Sequence, residues 1–168
     1  ELGEPAFRAK QLYEWLWNKR AINFDEMTNF SLELREKLKE NFEIHAVEIH
    51  DLQISNDRTI KCAMKLHDNF VVESVLIPQA DRMTACISSQ VGCSLTCKFC
   101  ATAKLKRMRN LTADEIYDQV VLVKDTAMQK YGEPLSNIVY MGMGEPLLNY
   151  NEMMLSVDRI TNPKGLGM

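Results

Sequence analysis

The run TACISSQVGCSLTCKFC, residues 84–100, changes character at its centre. Its first half has the alternating, β-branched texture of a strand. Its second half carries three of the chain's five cysteines, Cys93, Cys97 and Cys100, within eight residues. The run therefore predicts a strand that ends in a loop of closely spaced thiols. Such a loop suits metal binding or catalysis better than disulfides.

The segments that follow repeat the order of strand, loop and helix. Thr112 and Glu115 form a capping-box pattern, and Ile116, Val120 and the apolar residues at 123 and 127 mark one face of a helix. SNIVYMGMG, residues 136–144, has the length of a strand, and NYNEMMLSVDRIT, residues 149–161, that of another helix. This alternation predicts an α/β fold with a parallel sheet or an α/β barrel.

The residues before the run divide into two further segments. Apolar residues at helical spacing, with Ser31 as a candidate N-cap, predict a small helical domain over residues 1–45. Short alternating segments separated by NDR and DN turns predict a β-strand extension over residues 46–83. The α/β part then covers residues 84–168.

The composition of the 168 residues is that of an ordinary soluble domain, with 46% hydrophobic and 26% charged residues. A formal charge of −3 does not favour nucleic-acid binding by the whole chain, so a basic site must be local. No apolar run of membrane-spanning length and no signal segment occurs, which predicts a cytoplasmic location. A start at Glu1 and an end in NPKGLGM suggest a piece of a longer protein.

The spacing C-x3-C-x2-C suits a cubane of iron and sulfide better than zinc. Three thiolates can hold such a cluster and leave its fourth iron open to a small chelating molecule. Structural zinc normally takes four protein ligands, and none of the chain's three histidines lies near the triplet. Zinc with a fourth ligand from elsewhere stays open as an alternative.

CSLTCKFC resembles the cluster motif of radical S-adenosylmethionine enzymes. CISSQVGCSLTCKFCAT, RNLTADEIYDQV and MGMGEPLLN together resemble the RlmN/Cfr family of RNA adenosine methyltransferases. PAFRAKQLYEWLW and FDEMTNFSLELREKL are similar to that family's N-terminal helical module. GEPLLN favours the RlmN side over the Cfr side, and residues 84–168 would then be the first units of a partial radical-SAM (β/α) barrel.

The resemblance implies two cofactors and the residues that bind them. Cys93, Cys97 and Cys100 would hold a 4Fe-4S cluster whose open iron binds S-adenosylmethionine. Gly144 and Glu145 would meet the amine of the cofactor's methionine. Both residues lie at the end of a predicted strand. This position suits the role, since active sites of α/β barrels lie at the carboxyl ends of strands.

Two further residues match catalytic positions of the family. Cys86 would resolve a covalent protein–RNA intermediate by thiol attack, and Glu73 would handle a proton at the adenine carbon. The reaction implied is a radical transfer of a methyl group to carbon-2 of adenosine in ribosomal RNA and possibly transfer RNA, with an electron donor such as a flavodoxin. The family's methyl-carrying cysteine and later strands have no counterpart here. We therefore expect no turnover by this chain alone, and dimerisation or swapping at its unfinished sheet edge.

A basic run follows the cysteines and contains no acidic residue. A charge run is usually a solvated face, but beside a cluster loop it favours contact with RNA phosphates. Its members are Lys98, Lys104, Lys106, Arg107 and Arg109. Ala103 and Lys106 stand where the family usually has glycine, so the loop conformation can differ.

Two other functions remain open on the sequence alone. A zinc-stabilised RNA-binding module would be colourless and without catalysis. A radical enzyme that acts on a protein or a small molecule would share the cluster but show no affinity for RNA.

Overall fold

The computed structural model describes residues 3–168, which form two compact units. One unit contains residues 3–46 together with Asp158–Met168, and the other is Val47–Val157. Residues 1 and 2, the start of the predicted helical domain, lie outside the described residues. No helix within the described part of the chain has both the length and the apolar character needed to cross a membrane.

The first unit is helical. Helix α1 is Ala6–Trp17 and helix α2 is Leu32–Asn41, with a short 3₁₀ turn at Phe24–Glu26 between them. The predicted N-cap Ser31 accepts a hydrogen bond from the N–H of Leu34 at 3.2 Å. A core of small, aliphatic and aromatic side chains holds the unit together; its buried members are Ala21, Phe24, Met27, Phe30, Leu34 and Leu38.

The second unit is built on a five-stranded sheet. Its first four strands are β1 (Glu48–Ile54), β2 (Ile60–Lys65), β3 (Val71–Pro78) and β4 (Met83–Cys86). The two residues of β5 (Gln90–Val91) and of β6 (Arg109–Asn110) form a separate small ladder. Strand β7 (Asn137–Val139) completes the large sheet in the order β1-β2-β3-β4-β7.

Only the pair β4–β7 is parallel, because only it is joined through a helical crossover. The other three pairs are antiparallel, since short turns connect them. The sheet is therefore mixed rather than parallel. It also runs through the expected boundary at residues 83 and 84, because β3 and β4 pair there with Val75 opposite Cys86.

Helix α3 (Ala113–Tyr131) is the crossover between β4 and β7, and it packs on β3 and β4. Thr112 and Glu115 form the expected capping box at its start. The four apolar residues predicted to face the core, at positions 116, 120, 123 and 127, are fully buried. A short 3₁₀ turn, Pro146–Asn149, leads from β7 into helix α4 (Tyr150–Thr161).

Candidate active site

The β5–β6 ladder closes a loop, residues 92–108, that carries the three clustered cysteines. Gln90 pairs with Asn110 and Val91 with Arg109. The N–H of Met108 adds a bond to the carbonyl of Val91 at 2.8 Å. Both ends of the loop are thus fixed, while most of its residues face solvent.

Gly92 is needed at the start of this loop for two reasons. Its φ of +73° lies in the left-handed region, where side chains are disfavoured. A Cβ atom there would also overlap the backbone carbonyl oxygen of Lys106 on the returning limb. The two limbs of the cysteine loop therefore touch at Gly92.

The thiols of the loop are accessible and partly activated. Cys97 is exposed, Cys93 and Cys100 are half-buried, and none forms a disulfide. Backbone N–H groups of Ala103 and Thr102 hydrogen-bond to the sulfur of Cys100 and hold its pKa below the ordinary value. A lowered pKa favours the thiolate, which is the form that binds metals.

The donor set fits a cluster, although the sulfurs are not gathered around a common point. Within residues 3–168, no three Cys, His, Asp or Glu side chains form a ready-made metal-binding group. Three thiols on one exposed loop, without histidine or carboxylate among them, are the soft ligands that iron–sulfur clusters take. The residues thus fit such a cluster in number, type and spacing.

The predicted pair Gly144 and Glu145 lies against the segment that leads into the cysteine loop. The carbonyl of Met143 accepts hydrogen bonds from the N–H groups of Ser89, at 2.9 Å, and Gln90, at 3.2 Å. The N–H of Glu145 donates to Oε1 of Gln90 at 2.9 Å. The carboxylate of Glu145 accepts from the N–H of Leu147 at 3.1 Å and so begins the following 3₁₀ turn. Two segments about 50 residues apart in sequence thus meet at the predicted site.

Glu73 and Cys86 share one face of the sheet. Cys86 stands opposite Val75, and Glu73 follows two residues away on the same face, so the two side chains are diagonal neighbours. Glu73 is exposed, with its carboxylate 3.2 Å from the ammonium group of Lys61. This is the face opposite the buried side chains that pack under α3.

The two cysteines of the large sheet differ from those of the loop. Burial raises the pKa of the half-buried Cys86 thiol, although the N–H of Met141 opposes the shift. Cys62 is fully buried on β2, and burial raises its pKa to about 11. Both are therefore neutral thiols near pH 7, and Cys62 packs in the core.

Arg109, a member of the basic run, is paired with two carboxylates of its own unit. Its guanidinium makes two hydrogen bonds of 2.7 Å to the carboxylate of Glu115 and one of 2.6 Å to Asp68. Glu115 is only 2% exposed, and Arg109 is 26% exposed. The arginine is thus an ion-pair partner of a buried carboxylate, while its contact with RNA phosphates stays a prediction. Lys104, Lys106 and Arg107 remain exposed.

The polar groups that join the two segments were not identified from the sequence. Gln90 and Asn149 are buried, and Asn149 donates to the carbonyls of Ser89, at 2.9 Å, and Leu111, at 2.8 Å. Asn110 accepts a bond of 2.7 Å from Gln90. In the sequence, the available signal was a polar residue, Gln90, at the end of the strand-like run just before the cysteine motif.

Residues 1–44 match the family described as the ribosomal RNA large subunit methyltransferase N-terminal domain. The chain is 61% identical over 166 residues to a protein of Christiangramia forsetii and 59% identical over 164 residues to one of Cytophaga hutchinsonii. Both relatives are named probable dual-specificity RNA methyltransferase RlmN. The matches cover 99% and 98% of this chain but 47% and 45% of the relatives, so the chain spans about half the length of these proteins.

A solved structure gives the same likeness. A radical SAM methyltransferase from Sphaerobacter thermophilus is similar with a TM-score of 0.84 and 36% sequence identity. The similarity covers 99% of this chain and 49% of that one. The mixed α/β arrangement described above is therefore shared with a radical SAM methyltransferase.

Proposed function

We propose that this chain, which is RlmN-like along nearly its whole length, is the cofactor-binding part of a radical S-adenosylmethionine RNA methyltransferase. The observation that carries the proposal is the contact of the Gly144–Glu145 turn with Ser89 and Gln90, the segment that leads directly into the cysteine loop. Each segment alone is a short motif. Their contact gives one place where a small molecule could touch both.

Cys93, Cys97 and Cys100 are the proposed ligands of a 4Fe-4S cluster. Three thiolates would leave one iron of the cluster without a protein ligand. When bound, the cluster would supply the electron for reductive cleavage of S-adenosylmethionine. Accessible thiols and the lowered pKa of Cys100 support this assignment.

Glu145 and Gly144 are proposed to bind the amine of S-adenosylmethionine. The carboxylate of Glu145 makes one hydrogen bond, to the N–H of Leu147, and an ionised carboxylate can accept several. An ammonium group is a strong partner for it. Gly144 has a φ of +97° and packs against Gln90 where a side chain would lie, so a glycine is needed to place the Glu145 carboxylate at this turn.

Glu73 and Cys86 are proposed to act on the RNA base. A carboxylate on the exposed face of the sheet can take or return a proton at carbon-2 of an adenine. The thiol of Cys86, its diagonal neighbour on the adjoining strand β4, is proposed to resolve a covalent protein–RNA intermediate once it is deprotonated. Its raised pKa keeps the thiol protonated at pH 7 until a neighbouring base acts.

The proposed substrate is adenosine in ribosomal RNA, and possibly in transfer RNA, methylated at carbon-2. Lys104, Lys106 and Arg107 are proposed to contact its phosphates. We further propose a cytoplasmic location, a flavodoxin-like electron donor and a β4–β7 pair that begins a (β/α) barrel. The methyl-carrying cysteine would lie in the part of the relatives that this chain does not cover, and an unpaired edge at β7 would let the isolated chain dimerise.

Anaerobic reconstitution with iron and sulfide tests the proposal directly. We expect a brown protein with about four irons, whose reduced EPR signal changes on addition of S-adenosylmethionine. Cys97→Ala should abolish the colour, while Cys62→Ala, which changes a buried cysteine away from the loop, should keep it. A colourless protein that holds zinc would refute the radical assignment, and Cys93, Cys97 and Cys100 would then be structural ligands.

A further inference from the structure

We propose that Gln90 is a positioning residue that sets the spacing between the cysteine loop and the Gly144–Glu145 turn, and thereby the affinity for S-adenosylmethionine. The inference rests on the proposed function, because it takes these two segments to bind one ligand. Gln90 contacts neither the thiols nor the carboxylate of Glu145. It acts through the side chain of Asn110 at the loop's base and through the backbone N–H of Glu145 in the turn.

The side-chain amide of Gln90 is fully buried and bonded at both ends. Its Nε2 donates to Oδ1 of Asn110 at 2.7 Å, and its Oε1 accepts from the N–H of Glu145 at 2.9 Å. A buried amide that lost either partner would keep an unsatisfied polar group, so both bonds favour one arrangement.

Asn110 is itself held in one orientation. Arg107 donates to its Oδ1 at 2.8 Å, and its Nδ2 donates to the carbonyl of Leu148 at 3.3 Å. Since Asn110 is paired with Gln90 across the β5–β6 ladder, the bond joins the outgoing and returning limbs of the cysteine loop. The chain of bonds therefore runs from the loop's base through Gln90 to Glu145.

Packing places the turn directly on Gln90. Gly144 has a φ of +97°, and a Cβ atom there would lie 2.5 Å from Cβ of Gln90. The backbone N–H of Gln90 also donates to the carbonyl of Met143 at 3.2 Å. Backbone, Cβ and amide of one residue thus fix the position of the turn.

Other hydrogen bonds also join the loop's base to the turn, from the N–H of Ser89 to the carbonyl of Met143 and from Asn149 to the carbonyls of Ser89 and Leu111. The Gln90 side chain differs from these because it bonds both to Asn110 on the returning limb and to the N–H of Glu145 itself. The β5–β6 ladder contains two residues on each strand, and the loop it closes is exposed over most of its length. A ligand that must reach both segments needs them at one separation, and displacements of about 1 Å weaken such ligation strongly. Loss of the Gln90 amide should therefore weaken cofactor binding without removing a cofactor ligand.

Gln90→Met in the full-length reconstituted protein tests the inference, because methionine keeps the length of the side chain and removes both hydrogen bonds. Gln119→Met is the matched control. Gln119 is also fully buried and bonded, to Ser74, Ser88 and Glu115, but it does not contact the Gly144–Glu145 turn. The readouts are iron content, thermal midpoint, the dissociation constant of S-adenosylmethionine, and the cofactor-induced EPR change.

We expect Gln90→Met to bind S-adenosylmethionine about tenfold more weakly at unchanged iron content. Its EPR change should reach the wild-type form at saturating cofactor, and KM should rise about tenfold with kcat within about twofold. Gln119→Met should lower the thermal midpoint but keep the dissociation constant within about twofold. Asn110→Ala changes a half-buried position and should also weaken the binding of S-adenosylmethionine. It replaces Gln90→Met as the test variant if Gln90→Met does not fold.

Two results would overturn the inference. One is wild-type affinity in Gln90→Met or, where that variant fails to fold, in Asn110→Ala. The other is an equal loss of affinity in Gln119→Met, which would show a general effect of stability. A wild-type protein whose EPR signal ignores S-adenosylmethionine would instead refute the proposed function, and the positioning role with it.

Discussion

Replacing Arg109 by methionine should destabilise the second unit by far more than a typical surface ion pair contributes. The guanidinium is the bidentate partner of Glu115, whose carboxylate is 2% exposed, and it also binds Asp68. Without it, the buried carboxylate would lose both guanidinium hydrogen bonds and keep the N–H of Thr112, at 3.0 Å, and the imidazole of His67, at 3.5 Å, as neighbours. This is the situation in which removal of one partner is strongly destabilising.

The magnitude follows from the burial of the two side chains. Breaking a fully buried ion pair costs about 3–5 kcal/mol. Arg109 is 26% exposed, so water screens part of the loss, and we expect about 2–3 kcal/mol. For a chain of this length, that corresponds to a fall in the thermal midpoint of about 5–10 °C.

The assay is urea unfolding of the chain followed by far-UV circular dichroism, with Arg58→Met as the matched control. Arg58 pairs with Glu133 at 2.9 Å in the same unit, but the two side chains are 52% and 46% exposed. Its loss should cost less than about 1 kcal/mol. Equal effects of the two variants would refute the reasoning, since burial would then make no difference.

The same ion pair gives a pH dependence with a definite sign. The hydrogen bond from Arg109 holds the pKa of Asp68 below its ordinary value. A carboxyl group with a lowered folded-state pKa contributes stability above its unfolded pKa of about 4 and loses it as the pH falls through the folded value. Arg109→Met should therefore show a weaker loss of stability than the unaltered chain does as the pH falls below about 4.

Three further predictions concern the candidate site. Iodoacetamide at pH 8, with labelling followed by mass spectrometry of the native chain, should modify Cys97 well before Cys62, whose burial raises its pKa to about 11; equal rates would contradict the burial argument. Gly144→Ala should lose binding of S-adenosylmethionine or lower stability by about 2 kcal/mol, because its φ of +97° and its contact with the neighbouring strand both exclude a side chain; a neutral outcome in calorimetry and cofactor binding would refute the contact. Replacing Lys106 and Arg107 together by glutamine in the full-length protein should reduce the slope of log affinity for RNA against log salt by about 1–2, and an unchanged slope would remove these residues from the interface.

Local sequence patterns were sufficient to predict those parts of the fold that depend on residues close together in the chain. The buried face of α3 follows from apolar residues at helical spacing, and its start from the Thr112–Glu115 pattern. The cysteine loop follows from the spacing of its thiols. Each depends on residues close together in the chain, so an amphipathic period or a motif carries the information.

Contacts between distant segments could not be predicted in this way. Arg109 looked like one more cation of an exposed run, because nothing local indicates that Asp68, 41 residues upstream, lies beside it. The sheet shows a related limit: alternation after residue 84 predicts the parallel pair β4–β7, and turn signals before it suit antiparallel pairs, but neither pattern shows that all these strands form one sheet. A position's neighbours across the sheet decide its role, and one sequence does not reveal them.

The two limbs of the cysteine loop are held by polar networks that meet at Asn110. On the outgoing limb, Gln90 bonds to Asn110 and to the N–H of Glu145. On the returning limb, Arg109 bonds to the carbonyl of Asn110 at 3.1 Å and to Glu115, which also accepts from the N–H of Thr112 at 3.0 Å. Apolar packing tolerates small slides, whereas directional bonds to buried groups lose their strength within a few tenths of an ångström. The cysteine loop must present three thiols at one place, and the ladder at its base has only two residue pairs. Hydrogen bonds to buried polar groups therefore fix the position of the loop more closely than a larger apolar contact would.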